Sequence, residues 1–205
     1  MSNKKPLIVF EGIEGSGKTT LINFLSLYLK KYKKPYIKIR EPGGNKNSEL
    51  IRKLILNKKN DFNSFTDLML YFASRSENIE KIIKKNYQKK IILIDRFTDS
   101  TMAYQHYGMG INKQLIYKIN KILLKNIKPS LTILNIVNMK NLKKRLTLRK
   151  KKNRYDNFKI NFYKKVQNGF IKLSKNKKNY EIMDSNKNLK ENKKKLLKKI
   201  SKLVN

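Results

Sequence analysis

Cysteine is absent from the 205 residues, which excludes a disulfide framework and a thiolate metal site. No uninterrupted apolar run approaches the roughly 20 residues that a membrane-spanning helix needs. The stretch MSNKKPLIVFEG at the start is basic and then apolar, but its apolar run 7-LIVF-10 ends at an acid and is too short for a signal peptide. No internal repeat is visible and no Pro/Gly/Ser linker divides the chain, so one domain over 1–205 is expected. Together these absences point to a cytoplasmic protein with no membrane partner. Acids are scarce too: 14 against 50 basic residues give a formal charge of +36. Such a charge suggests nucleic acid. The lysines, however, are spread over most segments and mixed with asparagine and isoleucine, as a chain-wide substitution bias would leave them. Nucleic acid is therefore not the expected partner.

Arginine is the scarce base. Only seven basic residues are arginine: Arg40, Arg52, Arg75, Arg96, Arg145, Arg149 and Arg154. Lysine is a point charge on a flexible stem, whereas arginine offers a planar fork that grips phosphate or carboxylate in two places. In a lysine-saturated chain, the positions that carry arginine are the better candidates for a specific task.

What the chain does have is a β–α alternation. Strands are expected at 7–11, 36–39, 91–95, 131–137 and 180–183. Three of these, 7-LIVFE-11, 91-IILID-95 and 131-LTILNIV-137, are almost continuously apolar, as strands buried on both faces of a parallel sheet are. Helices are expected near 18–32, 47–57, 65–87, 98–106, 112–126, 139–150, 155–174 and 189–203. The fold class is then α/β: a three-layer α/β/α domain with a mostly parallel central sheet of about five strands and helices on both faces. The charged break 149-RKKKNRYDN-157 is the expected mobile loop.

Between the first strand and the first helix lies 12-GIEGSGKTT-20. Residues Gly12 to Thr19 fit G-x-x-x-x-G-K-[ST] in the strand–loop–helix context that this pattern requires. Its glycines let backbone amides converge on one anion, Lys18 can reach nucleotide phosphates, and the Thr19 hydroxyl can ligate magnesium at a positively polarised helix start. ATP contacts are expected along Gly12, Ile13, Glu14, Gly15, Ser16, Gly17, Lys18, Thr19 and Thr20. The D-x-x-G and N-K-x-D strings of regulatory GTPases are absent, so a phosphotransferase or ATPase remains.

Three more strings accompany the loop: 40-REPGG-44, 69-MLYFASRSENIE-80 and 95-DRFTDSTMAYQ-105. Strands ending at Arg40 and at Asp95-Arg96 deliver these residues, with Lys18, to one sheet edge, where ligands of open α/β sheets bind. As a set, the loop and these strings resemble the thymidylate kinase family, whose members transfer a phosphoryl group from ATP to dTMP. The resemblance runs from Leu7 to the C-terminal helix and places the chain among P-loop nucleoside monophosphate kinases.

It implies that Arg96 grips the dTMP phosphate with Arg40, and that Pro42 lies against the base pocket. Tyr71 or its neighbour Phe72 would stack on thymine, and Arg75 would read a carbonyl of the base. Ser100, Tyr104 and Gln105 would surround base and sugar, and Glu14 would face the acceptor near the deoxyribose 3′-hydroxyl. Asp95 would position Mg²⁺ together with Thr19. Gly15 stands where some members carry an arginine, which implies that the catalytic arginines come from a lid at about 145–157. Arg154 is the first candidate and Arg149 the second; Asn153 replaces an acid usually found before the first, so an acidic partner is expected to be missing. His106, the single histidine, is read as incidental. The resemblance also implies a homodimer. The alternatives are another (deoxy)nucleotide or deoxynucleoside kinase, or a nucleic-acid-binding ATPase.

Overall fold

The computed structural model describes residues 4–150 and 153–204. Its centre is a five-stranded sheet in the order β2-β3-β1-β4-β5, formed by β1 Leu7–Glu11, β2 Tyr36–Arg40, β3 Ile91–Asp95, β4 Leu131–Ile136 and β5 Tyr180–Asp184. Every pairing is parallel. The three continuous apolar runs became the three central strands, β3, β1 and β4, almost wholly buried. The edge strands β2 and β5 carry Lys38 and Glu181 and are half exposed, as strands with one open side can be.

Around the sheet lie α1 Lys18–Lys31, α2 Lys46–Leu56 and α3 Ser64–Asn78, the last continuing through a π-helical turn, Ile79–Ile83, into the short α4 Lys84–Asn86. After β3 come α5 Thr98–Thr101, prolonged by the π-helix Met102–Gly108, and α6 Lys113–Leu124. After β4 come α7 Met139–Thr147 and α8 Ile160–Ser174, and after β5 α9 Leu189–Val204. One face of the sheet packs its Ile8, Phe10, Leu93 and Ile133 on Leu21, Leu25 and Leu29 of α1 and on Leu196 and Ile200 of α9. The other face packs Leu7, Val9, Ile92 and Ile94 on Ile79, Ile83 and Phe97. Leu196, Ile200 and Val204, with Asn192, thus form the buried stripe of an otherwise lysine-rich helix, whereas Leu189 is exposed.

The helix expected over 155–174 is divided. Asn153 caps a 3₁₀ turn, Arg154–Asn157, by accepting the Tyr155 amide, and Asp156 accepts the Asn153 amide in return. This reciprocal cap starts a turn that Phe158 and Lys159 end in extended backbone, before α8 begins. Likewise α7 ends at Thr147 rather than near 150. Lys151 and Lys152, inside the expected mobile loop and lid, lie outside the described residues. α8 approaches the π-helix closely: a Cβ on Gly169 would sit 2.6 Å from the Tyr107 ring. Only glycine fits there, and the contact fixes the helix that bears Tyr104 and Gln105.

Candidate active site

A cleft of about 1050 Å³ opens at the carboxyl ends of the strands. Loops leave β1 and β3 in opposite directions, so the cleft sits at the topological switch point of the sheet. Its volume reaches the top of the ~300–1,000 Å³ range of small-molecule pockets.

One end is the glycine-rich loop. Gly12 has φ 134°, and a Cβ there would stand 2.3 Å from the Asn135 carbonyl oxygen on β4, so the loop can hug the sheet only with glycine. α1 starts with no side-chain cap, which leaves its first N–H groups facing the cleft. Lys18 is buried, and its Nζ donates to the Gly12 and Ile13 carbonyls, both at 2.9 Å. Burial, then the nearby Arg96, lower its pKa to about 8. Of the expected ATP contacts, Glu14 through Thr20 line the cleft. Gly12 and Ile13 lie beneath them, Ile13 within the core.

Arg96 leaves β3 with φ 67°, a left-handed conformation rare outside glycine. That turn aims its guanidinium back across the loop: Nη1 donates to the Gly12 carbonyl at 2.9 Å and Nη2 to Glu14 at 2.7 Å. Tyr104 donates its hydroxyl to the same Glu14 carboxylate. Glu11, fully buried at the end of β1, holds the turn. It accepts the Phe97 amide at 2.8 Å, the Ser100 amide at 3.2 Å and the Ser100 hydroxyl at 2.5 Å. Burial, then Asp99, push its carboxyl up to about 7.

Arg75 is 1% exposed yet lines the cleft. Tyr71 lines it as well, whereas Phe72 points into the core with Leu68, Met102 and Ile116. Of the two aromatic candidates, only Tyr71 reaches the cleft. Pro42, Ser100, Tyr104 and Gln105 also line it. Arg40 does too, half exposed and paired with Glu49 at 2.8 Å. Arg52, the one arginine outside every motif, is also here, donating to the Pro42 carbonyl at 2.7 Å. No local pattern marked it; its only signal was being arginine. His106 is not part of the lining; its Nδ1 meets the Ile111 carbonyl at 2.8 Å.

The lid region closes the far side. Arg145 of α7 donates to the Gly15 carbonyl at 2.7 Å and to the Ser185 carbonyl at 2.8 Å, and its stem covers the space beside Gly15. Arg149 lines the cleft and pairs with Asp156. Arg154 does not line it; its guanidinium is bound by Asp67 of α3, which also accepts the Tyr155 hydroxyl at 3.0 Å. The expected lack of an acidic partner is therefore corrected. Asn153 serves as a backbone cap, and the acids come from Asp156 and, across the fold, Asp67.

No cluster of three or more metal-ligating side chains occurs among the described residues. Magnesium does not require one, since it keeps water and phosphate ligands beside one or two protein groups. Thr19 and Asp95 both line the cleft, and Asp95 Oδ1 is buried with no hydrogen-bond partner among the described residues, so the donor set fits this hard cation. Six further buried side-chain atoms lack partners among the described residues, four of them on the cleft-lining Ser16, Glu41, Gln105 and Asn135. Unpaired buried polar groups are rare, and their concentration here marks a surface built for ligand.

Comparison with known proteins agrees with this geometry. A family model described as thymidylate kinase matches residues 10–196. The chain is 42% identical over 173 residues to the thymidylate kinase of Sulfurihydrogenibium sp. (strain YO3AOP1), covering 83% of this chain and 84% of that one. It is 39% identical over 187 residues to that of Mycoplasma capricolum, covering 89% and 88%. The crystal structure of thymidylate kinase from Ehrlichia chaffeensis superposes with a TM-score of 0.79 at 31% identity, over 97% of this chain and 99% of that one.

Proposed function

The chain belongs to the thymidylate kinase family, and on that premise we propose that it phosphorylates dTMP to dTDP with ATP. The observation that carries the division of labour is the Glu14 carboxylate, which the glycine-rich loop holds out to both Arg96 and Tyr104. The loop's amides and Lys18 bind the donor phosphates, and its one acid belongs to the acceptor.

In this reading an oxygen of the dTMP phosphate attacks the γ-phosphorus of ATP, and the bond to the ADP oxygen breaks. Little covalent work falls to the protein; positioning and charge stabilisation dominate. Arg96, with Arg40 and Arg52 nearby, orients the acceptor phosphate. Tyr71 faces the thymine ring, Arg75 and Gln105 face its polar edge, and Tyr104 stands at the sugar. On the donor side Arg145 and Arg149 supply cationic charge. Arg154 reaches the phosphates only by leaving Asp67. A magnesium ion accompanying ATP would be held by Thr19 and Asp95 and would neutralise the β- and γ-phosphate oxygens. The family likeness also supports a homodimer in the cytoplasm.

A coupled ADP-release assay with dTMP, dUMP, UMP, dGMP and dCMP offered separately tests the reading. dTMP is expected to give the fastest acceptor-dependent release, and Lys18→Ala to abolish it. Faster turnover with another acceptor would move the enzyme to a different nucleotide, and hydrolysis stimulated by DNA instead would favour a nucleic-acid-binding ATPase.

A further inference from the structure

Arg75 is a caged cation. Its Nε donates to Glu41 at 2.8 Å, and its Nη2 donates to the Phe97 carbonyl at 3.0 Å and to the Thr101 hydroxyl at 2.9 Å. Its Nη1 donates to Asn120 Oδ1 at 2.8 Å. The rings of Phe72 and Phe97 flank the guanidinium at 5.7 and 5.5 Å. A guanidinium has five N–H groups and no acceptor. Four are taken by protein, so one is left, and it is on Nη1, the nitrogen shared with Asn120.

We propose that Asn120 is a positioning residue for base recognition: by holding one Nη1 hydrogen of Arg75 it presents the other to a carbonyl oxygen of the acceptor base. Asn120 comes from α6, an element that supplies no side chain to the cleft lining, and with Ile116 it is one of that helix's two buried residues. A surface helix with one buried amide aimed at a buried cation needs a reason, because a buried polar group is costly unless bonded. The amide's orientation is settled by chemistry: arginine offers only donors, so the oxygen must face it. Glu41 fixes the opposite end of the guanidinium, which prevents the plane from swinging when a ligand competes for Nη1. The result is a reader with one rigid donor. Such a donor suits thymine, which presents a carbonyl where cytosine presents an amino group that is itself a donor.

This inference rests on the reading that Arg75 meets the acceptor base. The test measures KM for dTMP, KM for ATP and the dTMP-over-dCMP ratio of kcat/KM in wild type, Asn120→Ala and Asn120→Asp. Asn120→Ala is expected to raise KM for dTMP about tenfold, the scale of a lost bond to a charged group, and to narrow the dTMP-over-dCMP ratio. KM for ATP should stay within about twofold of wild type, as no donor-site group is touched. Asn120→Asp keeps an acceptor on Arg75 and should restore most of both losses. If Asn120→Ala does not fold, Asn120→Ser, whose hydroxyl is too short to reach Nη1, takes its place with the same expectations. A wild-type ratio in the alanine or serine variant, or equal rises in both KM values, would overturn the proposal and leave Asn120 a packing residue. A wild-type enzyme that ignores dTMP would instead sink the acceptor assignment itself, and this proposal with it.

Discussion

Glu11 shows how one residue can carry both stability and geometry. Its carboxyl is raised from the ordinary 4.5 to about 7, so the folded protein holds that proton more tightly than the unfolded chain does. The stability this adds is fully present below about 4.5 and is lost as pH rises through about 7. Glu11→Gln keeps an acceptor for the Phe97 and Ser100 amides, can donate to the Ser100 hydroxyl, and has no charge to bury. Relative to wild type the variant should gain up to ~3 kcal/mol between about pH 5 and about pH 8, read from urea unfolding at both values. A difference that does not change with pH would mean that Glu11 ionises freely. Residues of this kind divide by legibility. Lys18, Arg75 and Arg96 lie in strings whose spacing is itself the signal. Asn120 and Asp67 lie on helices where a single polar residue is ordinary, and only the packing of distant segments gives them partners.

The lid illustrates the same division at the level of elements. Its arginines were legible, because arginine stands out among lysines, but its shape was not. The apolar spacing of 155–174 reads as one helix, and the cap at Asn153 competes with that period and wins locally. What attaches the turn to the body is Asp67, through Arg154 and the Tyr155 hydroxyl, with Tyr155 packed edge-on to Tyr71 and Tyr104. Asp67→Asn removes the charge from a buried two-partner contact. The 153–157 turn should lose about 2 kcal/mol of local stability, seen as faster amide hydrogen exchange there while the α1 amides keep wild-type rates. Uniform loosening of both segments would place Asp67 in the core rather than at a lid joint. The parallel sheet, by contrast, was almost fully visible, since central strands buried on both faces are mainly apolar, with their few polar residues such as Glu11 and Asn135 near the carboxyl ends.

For the whole molecule the dominant fact is the charge of +36. Ten ion pairs occur among the described residues, too few to offset 50 basic side chains. Self-repulsion should then lower stability at low salt. Raising NaCl from about 20 to about 300 mM, which shortens the screening length severalfold, should raise Tm. The same change should lower kcat/KM for both anionic substrates, because the cleft's arginines and Lys18 no longer steer them. A Tm that is flat or falls with salt would show that the lysines are neutral to the fold.

The strand order also has a consequence in time. β1, the first strand to be synthesised, lies between β3 and β4. It gains one neighbour when residues 91–95 appear and the other only at 131–136. Until then its apolar edge stays open on the nascent chain, and contacts between strands so far apart in sequence form slowly. The phosphate loop is thus made before β4, and it gains its close contact with the sheet only when the Asn135 carbonyl arrives against Gly12. Between those two events the open edge of β1 is a place where another strand can pair wrongly.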